Sequence, residues 1–181
     1  MKSFIEFINE SKAQGNYVAL DVLAPDLRLQ YNMLGFDNPS SGESPPKDDY
    51  HCTLIYSKET NLDPTRVAES LVGFPSEINA RVIGVECFDS IPEDGVRDEA
   101  KSCIVLRLES DVLNKMHDTL RGIGLRHSYP EYSAHVTLTY NMDVEEAHAY
   151  RDAMNPLLSG APHQYILLHN IRSETINEDY V

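Results

Sequence analysis

Two short segments of this chain repeat each other and constrain its fold more than any other feature. Residues 50–57 read YHCTLIYS and residues 134–141 read AHVTLTYN, so both contain the pattern H-x-T-L-x-Y. Both are rich in β-branched and aromatic residues, which predicts that each forms a strand. Because positions i and i+2 of a strand point to the same side of a sheet, His51 and Thr53 share one face, as do His135 and Thr137.

The same alternation assigns the other face of each strand to the core. It predicts that these side chains are buried: Cys52, Leu54 and Tyr56 in the first copy, and Val136, Leu138 and Tyr140 in the second. One face of each strand is therefore predicted to pack, and the other to form a site.

The rest of the chain alternates between strand-like and helix-like segments. The predicted strands span residues 16–24, 76–90, 101–110 and 163–171, and the predicted helices span residues 25–36, 62–74, 112–125 and 143–158. Residues 37–49 are rich in Pro, Ser and Asp, which predicts an exposed loop. Helices mixed with adjacent antiparallel strands indicate the α+β class.

Length and charge limit the kinds of fold and partner. The 181 residues, of which 41% are hydrophobic, suffice for one domain with a core. We predict an N-terminal arm or helix over residues 1–15 and a single domain over residues 16–181. The net charge of −14 disfavours a long nucleic acid as partner. A small anionic ligand is compatible with it, because screening lets the nearest charges dominate the potential of a site.

The cysteines and the N-terminal segment indicate the compartment. Cys52, Cys87 and Cys103 lie in apolar segments without paired spacing, which predicts buried, reduced thiols. No apolar run approaches the roughly 20 residues that span a bilayer. Glu6 and Glu10 stand where a secretory signal needs its apolar stretch. We predict a cytoplasmic protein that does not bind membranes.

Two histidines and two threonines supply the groups that phosphodiester cleavage needs. One imidazole can accept the proton of the attacking hydroxyl while the other protonates the leaving oxygen. A threonine hydroxyl held on a strand can donate to a phosphate oxygen. His51, Thr53, His135 and Thr137 are therefore the predicted catalytic residues, and the sequence leaves open which histidine is the base.

Paired histidines also have a structural and a metal-binding interpretation. A single strand histidine is most often a hydrogen-bonded core or rim residue, but two copies of one pattern favour a site. The patterns H-x-H, H-E-x-x-H and C-x-x-C are absent from the sequence, so we predict no metal and no cofactor. The other histidines are predicted to be solvated or structural: His117, His127, His148, His163 and His169.

The two H-x-T motifs in an α+β chain of this size resemble those of the 2H phosphoesterase superfamily. The resemblance implies a bilobal fold built from a duplicated strand–helix unit, with two antiparallel sheets around a central cleft and flanking helices. It also implies metal-independent phosphodiester cleavage, in which His51 and His135 act on one phosphate whose oxygens Thr53 and Thr137 hold.

Within this superfamily the chain most resembles the phage anti-CBASS nucleases, which degrade the cyclic di- and trinucleotide signals of bacterial defence. The segment MKSFIEFINE is similar to capsid-targeting peptides of large tailed phages, which are cut after an aliphatic-x-Glu triplet, here Ile8-Asn9-Glu10. The resemblance implies hydrolysis of 3′–5′ bonds to linear products in the cytoplasm of the infected host. It leaves open packaging in the virion and whether the nucleophile is the 2′-OH or water.

Cyclic nucleotides also need groups that bind their bases and phosphates. Tyr17 and Phe88 are the candidate stacking residues, and Glu174 is the candidate base-edge or auxiliary acid–base group. Candidate cations for the phosphates are Lys47, Lys58, Arg81 and Arg126. Each of these side chains also has an ordinary interpretation as a core aromatic or a solvated charge.

Two alternative functions remain at the level of sequence. One is a 2H-type enzyme that opens 2′,3′-cyclic phosphates or cleaves 2′,5′ linkages in RNA. The other is a non-catalytic virion protein that binds a nucleotide. The sequence does not determine the preferred bases, the ring size, the oligomeric state or the fate of residues 1–10.

Overall fold

The chain folds around one antiparallel sheet that closes on itself. The structure, a computed structural model, describes residues 15–23, 41–43, 45, 49–58, 60–90, 100–129, 131–160 and 164–176. Within these ranges the strands are β1 Gly15–Val22, β2 His51–Ser57, β3 Glu77–Ser90, β4 Lys101–Glu109, β5 His135–Asp143 and β6 Tyr165–Ile176. The helices of the same ranges are α1 Pro64–Ser70, α2 Asp111–Gly122 and α3 Val144–Gly160.

The strand order is β1-β2-β5-β4-β3-β6, and β6 pairs with β1 to close the sheet. All pairings between these strands are antiparallel. The repeated strands β2 and β5 meet at a single residue pair, Cys52 with Val136. Three strands lie on each side of this narrow junction, β6-β1-β2 and β3-β4-β5, each set with one copy of the repeat, and five residue pairs between β3 and β6 join the two sets at the other end.

The helices begin where the sequence provides a cap. The Asp63 carboxylate accepts the Thr65 N–H at 2.8 Å, and Pro64 occupies the first turn of α1. Ser110 caps α2 in the same way. Helix α1 packs on β6, α2 on β2, and α3 on β3 and β4. The core between these helices and the sheet is apolar, and its largest fully buried side chains include Leu20, Leu54, Ile55, Ile104, Leu113, Met116, Leu120, Leu138 and Ile166.

The predicted α+β class is confirmed, and most predicted elements are present. Several predicted boundaries differ from the structure by one to three residues, and two differ by more. The last strand extends to Ile176 rather than residue 171, because it pairs with β1 as far as Gly15. Helix α1 ends at Ser70, ahead of Gly73, whose φ is +104°. The predicted helix over residues 25–36, most of the loop over residues 37–49, and residues 1–14 of the predicted arm lie outside the described residues.

The three thiols differ in burial. Cys52 is fully buried, but Cys87 and Cys103 are only partly buried, so the prediction of burial is wrong for these two. The Cys87 thiol instead donates to the carbonyl of Ala147, a residue of α3, at 3.3 Å. In the part of the chain that the structure describes, no helix is long and apolar enough to cross a membrane.

A β-bulge interrupts both repeated strands at the same position of the H-x-T-L-x-Y pattern. On β2, Ile55 pairs with Val18 and Thr53 with Ala19, so Leu54 has no partner on β1. A bulge adds one residue to one strand and shifts the alternation of its side chains.

The equivalent bulge on β5 lies at the leucine of the second copy. Thr139 pairs with Ile104 and Thr137 with Val105, which leaves Leu138 without a partner on β4. Leu138 and Thr139 are both buried, as are Leu54 and Ile55 at the equivalent positions of β2.

The two bulges turn the tyrosines of the pattern towards the histidine face. Tyr56 and Tyr140 line a cavity together with His51, and Tyr140 is 37% exposed. The prediction that these tyrosines belong to the core is therefore wrong, because strict alternation does not anticipate the extra residue.

Candidate active site

The single pairing between β2 and β5 places the two H-x-T motifs side by side. Cys52 and Val136 face the core. Their neighbours on each strand therefore point to the opposite side. In an antiparallel register this arrangement sets His51 beside Thr137 and Thr53 beside His135. Each histidine is thus adjacent to the threonine of the other copy.

Both histidines have the same hydrogen bond at Nδ1. His51 Nδ1 lies 2.8 Å from the Asp49 carbonyl oxygen, and His135 Nδ1 lies 2.6 Å from the Ser133 carbonyl oxygen. A carbonyl oxygen only accepts, so Nδ1 carries the proton in both rings. In each neutral imidazole the lone pair is then on Nε2, which is available to accept a proton.

The surroundings of the two imidazoles differ in charge. Burial lowers the pKa of His135, and the nearby Arg107 and His51 lower it further. At His51 a carboxylate oxygen of Asp49 lies 3.9 Å from Nδ1 and forms an ion pair when the imidazole is protonated. The charges therefore favour the neutral form of His135 and provide a counter-ion for protonated His51.

Each threonine has a tyrosine near its side chain. The Tyr17 and Thr53 hydroxyl oxygens are 3.2 Å apart, and the Thr137 side chain lies close enough to the Tyr140 hydroxyl to influence its pKa. Burial raises the pKa of Tyr17 to about 12 and also raises the pKa of Tyr140. Both phenols therefore remain protonated at neutral pH and are able to donate.

The predicted stacking residues lie beside the histidines. Tyr17 meets His51 edge to face, with ring centroids 5.9 Å apart. Phe88, 39% exposed, meets His135 in the same way at 5.0 Å. Each histidine of the site is thus in edge-to-face contact with one aromatic ring, Tyr17 on β1 for His51 and Phe88 on β3 for His135.

A cavity of about 420 Å³ opens beside His51. Glu174 lines it, and this residue belongs to β6, beyond the predicted end of that strand at residue 171. Because Glu174 is the Cα partner of Tyr17 across β1 and β6, the carboxylate and the aromatic ring are neighbours. The other lining residues are Asp49, Tyr56, Tyr140, Arg172, Thr175 and Ile176.

Two arginines near the histidines were missed at the level of sequence. Arg107 is the Cα partner of His135 and forms an ion pair with Glu86. The sequence does contain a signal for Arg107, because it stands between two leucines in the otherwise apolar strand KSCIVLRLE.

Arg172 is the second of these arginines, and three carboxylates surround it. Its Nε lies 2.6 Å from Asp21, and its terminal nitrogens lie 3.3 Å from Glu174 and 3.8 Å from Asp49. The predicted end of β6 fell just before this residue, so the sequence pattern did not place Arg172 on the cleft-facing side of a strand.

Of the cations predicted from the sequence, the three that the structure describes are not among the residues that line the cavity beside His51. Lys58 lies over the Tyr56 ring, 5.6 Å from its centroid. Arg81 pairs with Glu109, and Arg126 lines a separate cavity. Lys47 is outside the described residues.

Three of the remaining histidines have side-chain contacts within the fold, in agreement with their predicted structural role. His117 is buried and contacts the Leu54 carbonyl, and His148 pairs with Asp89. His127 Nδ1 accepts the Tyr56 N–H at 3.3 Å. His163 is outside the described residues. Among the residues that the structure describes, no three His, Cys, Asp or Glu side chains could hold a metal ion together.

A short segment upstream of β2 fixes Tyr140. Glu43 and Tyr140 exchange two backbone hydrogen bonds of 2.8 Å. Gly42 has a φ of +85°, and a Cβ there would come within 2.7 Å of the Tyr140 carbonyl oxygen, so only glycine fits. Ser41 adds side-chain contacts to Glu146 and to the Asp143 N–H.

Comparison with known proteins identifies the family. The family model for the anti-CBASS protein Acb1 matches residues 14–161 of this chain. The chain belongs to the Acb1 family. It is similar to anti-CBASS protein Acb1 of Vibrio phage KVP40, with 31% identity over 134 residues that cover 72% of this chain and 75% of the relative. The Acb1 protein of Escherichia phage RB16 is 30% identical over 150 residues, which cover 81% of this chain and 75% of that protein.

Solved structures with the same fold include phosphoesterases. A structure described as a phosphoesterase superposes with a TM-score of 0.53 at 12% identity and covers 92% of this chain and 95% of that one. Escherichia coli LigT in complex with NADP+ gives a TM-score of 0.51 at 13% identity, with coverages of 92% and 95%. The fold implied by the H-x-T motifs, that of the 2H phosphoesterases, is thereby confirmed, although its strands form one closed sheet rather than the two sheets that were predicted.

Proposed function

We propose that this protein is a metal-independent phosphodiesterase that hydrolyses 3′–5′ bonds of cyclic di- and trinucleotides to linear products, so that a phage evades CBASS defence. The observation that carries the proposal is the matched pair of imidazoles, each with Nδ1–H on a backbone carbonyl two residues upstream. Such a pair offers one proton acceptor and one proton donor to opposite oxygens of one phosphorus. Membership of the Acb1 family supports the biological setting.

The charges suggest which histidine has which role. Neutral His135 accepts the proton of the attacking hydroxyl through Nε2, as its lowered pKa favours. Protonated His51, with Asp49 as counter-ion, gives a proton to the leaving oxygen. One P–O bond forms and the opposite P–O bond breaks, whether the attacking oxygen belongs to a 2′-OH or to water.

The threonines stabilise the charge that develops on the phosphate. If the Tyr17 hydroxyl donates to Thr53 Oγ1, the Thr53 proton is free to donate to a phosphate oxygen. In the same way, a Tyr140 hydroxyl that donates to Thr137 Oγ1 leaves the Thr137 proton free for the phosphate. A preorganised donor of this kind contributes more in the transition state than in the ground state, because charge on the oxygens increases there. Arg107 adds a positive charge next to His135.

The bases bind on either side of the phosphate. We infer that Tyr17 and Phe88 are the stacking residues, since each flanks one catalytic histidine. The cavity beside His51 contains the carboxylates of Asp49 and Glu174. Carboxylates repel phosphate but accept N–H donors, so this cavity suits a base edge.

The test is chromatography of reaction products with EDTA present. Purified protein is incubated with cyclic di- and trinucleotides, with an RNA that ends in a 2′,3′-cyclic phosphate, and with a 2′,5′-linked oligonucleotide. The expected result is linear product from cyclic substrates only, lost in both His51→Ala and His135→Ala. Cleavage of the RNA substrates alone would replace the proposal with the RNA-directed alternative. Binding without cleavage would replace it with sequestration.

A further inference from the structure

A second cavity, of about 550 Å³, lies between the end of α2 and the segment that leads into β5. It does not include either catalytic histidine. Its lining is rich in cationic, imidazole and aromatic side chains: His117, Arg121, Gly124, Leu125, Arg126, His127, Tyr129 and Tyr132.

Two arginines of this cavity are available to a ligand. Arg121 and Arg126 are both exposed, and neither has a carboxylate partner within the described ranges. By contrast, Arg81, Arg107 and Arg172 are each paired with a carboxylate. In a chain with a net charge of −14, two guanidinium groups at one cavity that have no carboxylate partner in the described ranges favour an anion, and guanidinium binds phosphate in a bidentate manner.

His127 contributes a neutral hydrogen-bond donor. Its Nδ1 accepts the Tyr56 N–H at 3.3 Å, so the ring proton is on Nε2. Desolvation lowers the pKa of His127 to about 4, and the neighbouring His117, His135 and Arg121 contribute in the same direction. An anion bound beside this ring would reverse part of that effect.

An exposed aromatic ring separates this cavity from the active site. Tyr129 is 62% exposed and stacks on Tyr56, with ring centroids 6.4 Å apart and an angle of 29° between the ring planes. Tyr56 itself lines the cavity beside His51. The Tyr129 ring is therefore placed to stack on a base whose phosphate lies at the arginines.

We propose that this cavity, which we call the arginine cavity, is a second phosphate-binding site that takes the phosphate of a nucleotide through Arg121 and Arg126, with the base on Tyr129. The nucleotide character of the ligand rests on the proposed function, whereas binding of the phosphate does not. The phosphate belongs either to the non-scissile part of the same substrate or to a separate nucleotide.

The binding test uses inorganic phosphate and adenosine monophosphate as probes, with NMR detection of the His127 ring protons. The double variant Arg121→Gln/Arg126→Gln is compared with Arg66→Gln/Lys115→Gln, which removes the same charge from exposed positions of α1 and α2. Both probes are expected to shift the His127 signals and to raise its pKa. The first variant should weaken binding about tenfold or more, and the matched variant less than about twofold.

Kinetics with a cyclic substrate then identifies the source of the phosphate. A higher KM at unchanged kcat in Arg121→Gln/Arg126→Gln assigns the site to the substrate's own second phosphate. An unchanged KM, with probe binding still lost, assigns it to a separate nucleotide. The proposal is overturned if the wild-type His127 signals do not respond, or if both double variants weaken binding equally. A protein that cuts no substrate would refute the proposed function but leave the binding result intact.

Discussion

His117 holds the bulge of β2 in place, and its replacement gives the prediction that depends most directly on the structure. The ring is 4% exposed. Its Nδ1–H donates to the Leu54 carbonyl at 2.7 Å, at the bulged residue itself. The ring also stacks on Tyr132, with centroids 4.1 Å apart and planes within 5° of parallel.

His117→Ala removes both contacts. A buried carbonyl left without a donor costs about 1–3 kcal/mol, and loss of an aromatic pair costs about 0.5–1.5 kcal/mol more. We therefore expect the free energy of unfolding to fall by roughly 1.5–4.5 kcal/mol. His117→Asn places an amide N–H near the position of Nδ1, so it should keep the hydrogen bond and lose only the stacking.

Urea unfolding followed by far-ultraviolet circular dichroism measures both variants, since the chain contains no Trp. His148→Ala, whose imidazole pairs with Asp89 at the surface, is the control and should cost less than about 1 kcal/mol. Equal losses in His117→Ala and His117→Asn would refute the reasoning, because the hydrogen bond to the bulge would then contribute nothing.

Three further predictions concern single side chains. Tyr17→Phe keeps the ring but removes the hydroxyl next to Thr53, so kcat should fall about tenfold with KM little changed; a change in KM alone would assign Tyr17 to base stacking only. Arg107→Gln removes a cation that lowers the pKa of His135, so the acid limb of kcat/KM against pH should move to higher pH, and an unmoved limb would exclude His135 as the base. The pKa of His127 is about 4 when folded against 6.5 ordinarily, so its contribution to stability is complete above pH 6.5 and is lost as the pH falls towards 4. His127→Asn, which does not titrate, should therefore lose less stability than wild type between about pH 7 and about pH 4.5 by urea unfolding, and equal losses would contradict this.

The repeated pattern predicts the centre of the fold well, because the two-residue alternation of a strand determines which side chains share a face. His and Thr two positions apart must share a face, and the register of β2 with β5 brings both pairs together. The family resemblance follows from the same residues, whereas the α+β class follows from the helix-like and strand-like segments around them.

The bulges could not be predicted from the sequence. Leu54 and Leu138 fit a regular strand equally well, and the extra residue is stabilised by tertiary contacts such as the His117 side chain. For that reason Tyr56 and Tyr140 were assigned to the wrong face.

The wrongly predicted end of β6 has a different cause. The residues after Ile171 are polar, and only pairing with β1 shows that they continue the strand. Arg172 consequently entered the site from the structure rather than from the pattern, and Glu174, a candidate from the sequence, is placed on a strand only by that pairing. Long-range pairing overrides local propensity at both the bulges and the strand end.

The central claim is that His51 and His135 act on one phosphate as a single acid–base unit. The most direct test is single-turnover cleavage of a cyclic dinucleotide by the wild type, by His51→Ala, by His135→Ala and by the double variant. We predict that each single change lowers the rate by about 10²–10⁴-fold and that the double variant is scarcely slower than either single one. Retention of the rate within about tenfold in either single variant, or additive losses in the double variant, would contradict the claim.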